Sequence, residues 1–189
     1  MVQASQEIVD PRIRRTRQLL HQALEKLLKE KDFEKISVQD IADAATVNRV
    51  TFYDHFPDKF ALLECVVASR FNELLAKRDV KFDGSCSSAL TGIVSAVCEY
   101  LAGTPGIETD QPLMEPHLES AVIAVVRRLV LEGLKQHPSA RPLSPEIVAT
   151  AWSWAIYGAA QEWVRTPHRP PSEDIVEPLV TLVSPLLRP

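Results

Sequence analysis

The chain has 189 residues, of which 46% are hydrophobic, so it can bury one sizeable core or two small ones and is no disordered polymer. No apolar run approaches the roughly 20 residues of a membrane span, and the start, MVQASQEIVDP, lacks an apolar signal core, so no membrane partner and a cytoplasmic location are expected. The net charge is −4: residues 1–60 hold ten Lys/Arg and ten Asp/Glu, and residues 61–189 hold 11 and 15, so bulk charge does not advertise a nucleic-acid binder and any such reading rests on local placement.

The expected elements are all helices. Asp10 caps and Pro11 opens the first, with Ile13, Leu20, Ala23, Leu24, Leu27 and Leu28 on one stripe and His21, Glu25, Lys26 and Lys29 facing away. It ends near 29–32, and Phe33 and Ile36 bridge onward. Ser37, with Asp40 three residues on, caps a short second helix whose buried side is Val38, Ile41 and Ala42. Asn48 caps a third. There Phe52 and Phe56 share one face, while Arg49 and Tyr53 share another. An arginine and a tyrosine on a short exposed helix suit base edges and phosphates.

Residues 14–71 resemble the N-terminal domain of the tetracycline-repressor (TetR) family. The resemblance rests on Ser37-Val38-x-x-Ile41-Ala42, on Val47-Asn48, and on Thr51-Phe52-Tyr53-x-His55-Phe56-Pro57-x-Lys59-x-Ala61-Leu62-Leu63. It implies an N-terminal helix-turn-helix domain in residues 1–60 and a C-terminal helical domain in 61–189 that dimerises and binds an effector. The implied partners are double-stranded operator DNA, a second copy of the chain and a small hydrophobic molecule.

The residues expected to touch DNA are Arg12, Arg14, Arg15, Ser37, Arg49, Val50, Thr51, Tyr53, His55 and Lys59. Arg12, Arg14 and Arg15 oppose the helix dipole where they sit, which a bound phosphate would relieve. Arg49 begins the helix that meets base edges, and Val50 can touch a thymine methyl. Tyr53 is read as a phosphate donor or half-core, and His55 as a phosphate contact or a structural histidine. Lys59 sits at a helix start, where amides and ammonium together can hold a phosphate. Ser37 and Thr51 offer hydroxyls, with capping the alternative for Ser37. Phe52, Phe56, Ile41 and Val47 are expected in the core.

Two positions depart from the family pattern. Thr46 stands where the turn usually has glycine, so the turn takes another shape or carries strain. Val50 stands where glycine or alanine is common, so no relative's operator can be borrowed. Asp54 adds a negative charge that orients Arg49, accepts from a cytosine amine or faces away.

Asp58 caps a fourth helix over 59–77, the one element expected to link the two domains. Residues 78–85 read as a hinge, and a fifth helix covers 87–101. The loop 103–116 carries three prolines and is long enough to suggest function. Helices then cover 116–136 and 145–164, and a last segment, 172–187, is bent or split by Pro178.

On the helix over 145–164 a small-residue stripe (Ala151, Ala155, Gly158, Ala159) lies near an apolar one (Trp152, Ile156, Trp163). The residues alone leave open whether these close the protomer's own core or meet another copy. The resemblance implies a dimer interface with Leu179, Leu182 and Val183. The resemblance also implies an effector pocket walled by Cys98, Leu101, Leu113, Met114, His117, Ala121, Trp154, Tyr157 and Gln161, with ordinary core the alternative for each.

Cys65, Cys86 and Cys98 have no metal-ligand spacing and read as reduced thiols, so neither metal nor cofactor is expected. No nucleophile–base–acid set or phosphate-cradling loop supports an enzyme. A same-fold DNA-binding protein answering to a protein partner, or to none, is the competing reading.

Overall fold

A computed structural model describes residues 10–77, 87–103, 116–136 and 142–187. Among them there are eight α-helices and no strand: α1 (Pro11–Leu27), α2 (Val38–Ala44), α3 (Arg49–His55), α4 (Lys59–Ala76), α5 (Ser87–Ala102), α6 (Pro116–Gln136), α7 (Pro145–Arg165) and α8 (Ser172–Val183). Short 3₁₀ turns occur at Phe33–Lys35 and Ser184–Leu187. None of the described helices is long and apolar enough to cross a membrane. The expected hinge at 78–85, Cys86, and most of the loop 103–116, including Leu113 and Met114, lie outside the described residues.

The chain divides into two compact units, the first ending at Val66 and the second starting at Val67, so the boundary falls within α4. In the first, α1 starts where Asp10 accepts from the Arg12 amide at 2.8 Å and Pro11 takes the first helical position. Leu20, Ala23, Leu24 and Leu27 bury one face of α1 at helical spacing. Against it pack α2 and α3, through Ile41, Ala42 and Phe52. Phe33, Ile36, Phe56, Leu62 and Leu63 complete this core. Each such side chain contributes roughly 1.5–3 kcal/mol of burial.

The first turns of α1 reach past that core. Ile13 is therefore 43% exposed, and Leu28, at the other end as the C-cap, is only half-buried, where both were expected inside. His21, expected to face away, instead has its Nε2 buried without a hydrogen-bond partner, while Nδ1 lies 3.6 Å from Glu25.

In the second unit α7 packs on α5, α6 and α8, and α5 also packs on α8. Ser144 and Pro145 begin α7. Its exit is closed by Trp163, whose indole N–H donates to the Pro170 carbonyl at 3.0 Å, and by the Arg169 guanidinium over the Trp163 ring. α8 is not split: it continues through exposed Pro178 to Val183.

Thr46, in the turn between α2 and α3, has φ 57°. That is the left-handed region, which a β-branched residue enters only under strain, so the turn keeps the shape a glycine would give it. Thr46→Gly is expected to stabilise the first unit by about 1 kcal/mol, relief of strain outweighing the added freedom of the unfolded chain. Denaturant unfolding followed by helical circular dichroism checks this; an unchanged or lower midpoint contradicts it.

Candidate nucleic-acid interface

α3 is a seven-residue helix held at both ends and along one side. Asn48 caps it, its side-chain oxygen accepting from the Thr51 amide at 2.7 Å and the Thr51 hydroxyl at 3.0 Å. Phe52 is fully buried, and Phe56, which follows the helix, is 3% exposed. Arg17 of α1 lies over the Phe56 ring at 4.7 Å, joining α1 to the end of α3. This seating of an exposed arginine on a core ring carries no sequence signal beyond its place in the Arg12–Arg17 cluster.

The outward side of α3 consists of Arg49, Val50, Tyr53 and Asp54, all exposed. At about 100° per residue they fill one continuous arc of roughly 140°. Val50 is 69% exposed, a large apolar side chain with no use inside the protomer. The Tyr53 ring meets Phe52 edge-on at 5.4 Å, and the Arg49 Nη2 donates to the Tyr53 hydroxyl at 3.2 Å. The arc thus offers a guanidinium, a phenol, a branched aliphatic group and a carboxylate on a braced support.

Arg12, Arg14 and Arg15 are exposed on the first turns of α1, beside the capping carboxylate of Asp10. His55 is half-buried at the last position of α3.

Three other residues expected to face a phosphate are engaged by the protein itself. Ser37 and Asp40 form a reciprocal cap. The Ser37 amide and hydroxyl both donate to Asp40 Oδ2 at 2.7 Å, and the hydroxyl accepts from the Asp40 amide at 3.1 Å. These bonds, first the backbone one and then the hydroxyl, with Lys31 adding at 3.1 Å, hold the Asp40 carboxyl at about 2. The hydroxyl of Thr51 points its proton at Asn48.

Lys59 is engaged more fully still. Its Nζ donates to the carbonyls of Phe33 at 2.9 Å, Glu34 at 3.2 Å and Ile36 at 2.8 Å, and lies 4.5 Å from the centre of the Phe33 ring. An ammonium has three donors, and all three are used. A phosphate could take one only by displacing a carbonyl. The start of α4 is capped separately by Asp58, which accepts from the Ala61 amide at 2.8 Å.

In the second unit the phase of α7 separates residues that the sequence grouped together. Trp152, Leu179 and Val183, expected at a subunit interface, are 0%, 7% and 1% exposed and belong to the protomer's own core. Trp154, expected in the pocket, is 54% exposed. It lies on an outward strip of α7 with Ile147, Ala151 and Gly158, while Ala155 and Ala159 are half-buried beside it. A Cβ built on Gly158 would meet nothing within 4 Å. Leu182 on α8 is 68% exposed.

Of the expected pocket residues, Cys98, Leu101, Ala121 and Tyr157 are buried, and His117 and Gln161 half-buried. Burial pushes the Cys98 thiol up to about 11. Glu119, which sequence reasoning missed, joins this set: its carboxylate accepts from the Tyr157 hydroxyl at 3.4 Å, and the Gln161 amide donates to that same hydroxyl at 3.4 Å. Burial first, then the Glu119 charge, raises the Tyr157 phenol well above its ordinary value. Among the described residues no group of three His, Cys, Asp or Glu side chains could hold a metal ion.

Comparison with known proteins bears on the first unit above all. The model of bacterial regulatory proteins of the tetR family matches residues 20–66. A stretch of 64 residues, 34% of this chain and 28% of the relative, is 39% identical to the HTH-type transcriptional regulator EthR of Mycolicibacterium smegmatis. Another of 68 residues, 35% of this chain and 18% of the relative, is 35% identical to YxbF of Bacillus subtilis, described as an uncharacterized HTH-type transcriptional regulator. These matches span less than a third of either relative. Among solved structures, a TetR transcriptional regulator from Streptococcus agalactiae 2603V aligns over 92% of this chain and 96% of its own, with TM-score 0.56 and 23% identity. That likeness concerns the fold alone.

The Lys59 geometry separates a structural from a ligand-binding role. Lys59→Met keeps the apolar contact with Phe33 but removes the ammonium from the Glu34 and Ile36 carbonyls, leaving the Phe33 carbonyl only its bond from the Ile36 amide, and it is expected to destabilise the first unit by roughly 1–3 kcal/mol. Thermal melting measures this; unchanged stability combined with weakened DNA binding would return Lys59 to phosphate contact.

Proposed function

This chain carries the N-terminal domain of the tetR family of bacterial regulators, and on that premise we propose that it is a dimeric transcription regulator that reads a palindromic operator through α3. The observation that carries the reading is the outward arc of α3, with Arg49, Val50 and Tyr53 exposed on a helix capped by Asn48 and braced by Phe52.

Each side chain suits a feature of the major groove. A guanidinium can take the two acceptors of a guanine, and the Val50 methyls match the methyl of thymine. The Tyr53 hydroxyl and the α1 arginines suit phosphates, which fix register without encoding sequence. Ser37, Thr51 and Lys59 are left out of the hydrogen-bonding set because their donors serve the domain itself.

A second copy of the chain is the proposed partner for the outer side of the second unit. Ile147, Trp154 and Leu182 are large apolar groups left in solvent, and Gly158 leaves room for close helix approach. A two-fold dimer would set two α3 helices about 34 Å apart, one turn of DNA. An exposed tryptophan among small residues has the form of an interface anchor with space around it.

Repression relieved by a small effector is the finer part of the proposal. Its support is the part-buried polar group of Tyr157, Glu119 and Gln161, whose bonds of 3.4 Å are long and replaceable. An amphipathic molecule placing its polar end there would weaken DNA binding by the same factor that DNA weakens its own binding. Residues of α4 belong to both units, which makes that helix the natural carrier of the coupling. A compound that binds among these residues at micromolar concentration yet never alters operator affinity would overturn effector control.

The test of the main reading is selection of bound fragments from genomic DNA by the purified chain. The expected product is a palindrome bound by a dimer. Gly158→Arg with Trp154→Glu, both at exposed positions that the protomer's core does not use, is expected to give folded monomers that have lost the operator. A wild-type chain that sediments as a monomer at micromolar concentration while binding the palindrome tightly would refute the dimer.

A further inference from the structure

We infer that Tyr53 is a positioning residue for base readout: its hydroxyl bridges a DNA phosphate and Arg49, so one backbone contact sets the aim of the base-reading guanidinium. This rests on the proposed operator binding and goes beyond it. The ordinary reading of a tyrosine here is a phosphate contact that weakens all sequences alike when lost.

The geometry points past that reading. Arg49 and Tyr53 are four apart on one face of α3, and the Arg49 Nη2 donates to the Tyr53 hydroxyl at 3.2 Å. The guanidinium carbon lies 5.6 Å from the centre of the Tyr53 ring, so a cation–π attraction adds to the hydrogen bond. The ring is itself a fixed point, since it meets fully buried Phe52 edge-on at 5.4 Å and an interplanar angle of 86°. A chain of contacts therefore runs from the core through Phe52 and Tyr53 to an exposed arginine that would otherwise sample many rotamers.

The donor inventory allows both roles together. Arginine has five N–H donors in a rigid fork, and one is engaged by Tyr53. The remaining four include the pairs that can meet the two acceptors of guanine. The Tyr53 hydroxyl accepts from Arg49 and keeps its own proton, which can go to a phosphate oxygen. A phosphate that fixes the hydroxyl therefore fixes the guanidinium as well. Holding Arg49 before DNA arrives also removes part of the ordering that base contact requires.

The test compares base-preference profiles, obtained by selection from a randomised operator library, for wild type, Tyr53→Phe, Arg49→Ala, Arg49→Lys and the two doubles with Tyr53→Phe. Tyr53→Phe keeps the ring on Phe52 and removes only the hydroxyl, and circular dichroism verifies the fold of each variant. Arg49→Ala should erase preference at one base pair of each half-site, a change of roughly 10- to 100-fold. Tyr53→Phe should relax preference at that same pair by roughly threefold to tenfold, besides lowering affinity for all sequences. In the Arg49→Ala and Arg49→Lys backgrounds, Tyr53→Phe should lower affinity uniformly and leave the profile unaltered. A phosphate contact alone cannot move a base profile, because phosphates carry no base identity. If Tyr53→Phe weakens every sequence by one factor, or shifts preference equally with and without Arg49, the bridge is overturned while operator binding stands. If the wild-type chain selects no sequence at all, the regulator reading fails and the bridge falls with it.

Discussion

The first unit depends on one ammonium group. Lys59 opens α4, yet its side chain reaches back to the link between α1 and α2, where the Phe33, Glu34 and Ile36 carbonyls converge on it. That link is a single 3₁₀ turn, Phe33–Lys35, whose own bonding reaches the Phe33 carbonyl, which accepts from the Ile36 amide at 3.0 Å. A cation is the one group able to serve three acceptors from one point, and a charged donor makes each bond stronger than a neutral one would. Phe33 below and Phe60 beside it add the ring faces that suit a partly desolvated ammonium. With the link pinned to α4, Ser37 is delivered to the position from which α2 starts, and α3 follows through the strained turn at Thr46.

α3 inherits its precision from this arrangement. Seven residues form a helix too short to be stable alone, so its geometry comes from the cap at Asn48 and from Phe52 and Phe56 in the core. The strain at Thr46 has the same origin: tertiary packing holds the turn in a left-handed conformation that the residue disfavours. A recognition element built in this way is rigid because its neighbours are, and its outward residues do not need to hold it. Arg49, Val50, Tyr53 and Asp54 are thereby available to read a ligand.

What the sequence made legible was local. Pro11, Ser37, Asn48, Asp58 and Pro145 mark helix starts by chemistry that acts over three or four residues, and each stands where its helix begins. Thr46 was legible only through the resemblance, which puts glycine in that turn; of the two outcomes left open, the left-handed one holds. Roles decided by distant groups were not. Nothing within four residues of Lys59 announces carbonyls more than 20 positions away. On α7 the failure was one of phase: the helix is apolar or small on nearly every side, so periodicity could not decide which tryptophan faces inward. The packing of α5, α6 and α8 decides it, burying Trp152 and leaving Trp154 outside. Glu119 escaped notice because a carboxylate in a first helical turn is ordinary, and its link to Tyr157 spans 38 residues.

The charge balance of the first unit bears on how such a regulator would discriminate. Of the ten cations in residues 1–60, Arg17 lies on Phe56, Lys59 holds carbonyls, and Lys31 and Lys35 face Asp40 and Asp32. The two exposed ion pairs are locally neutral and contribute little field at the distance of a few Debye lengths. Asp43 and Asp54 are exposed as well and oppose a polyanion. Binding that ignores sequence scales with the phosphates neutralised, and this unit offers few surplus cations for it. Base contacts by Arg49 and Val50, as proposed, would scale instead with their geometry, which does not depend on net charge. A domain without net positive charge but with a braced arginine would give up affinity for arbitrary DNA more than affinity for an operator. The ratio of the two, which decides occupancy among many competing sites, rises as a consequence. Doubling the readout through a second copy would recover the affinity that the missing charge withholds, which ties the composition of the first unit to the exposed strip on α7.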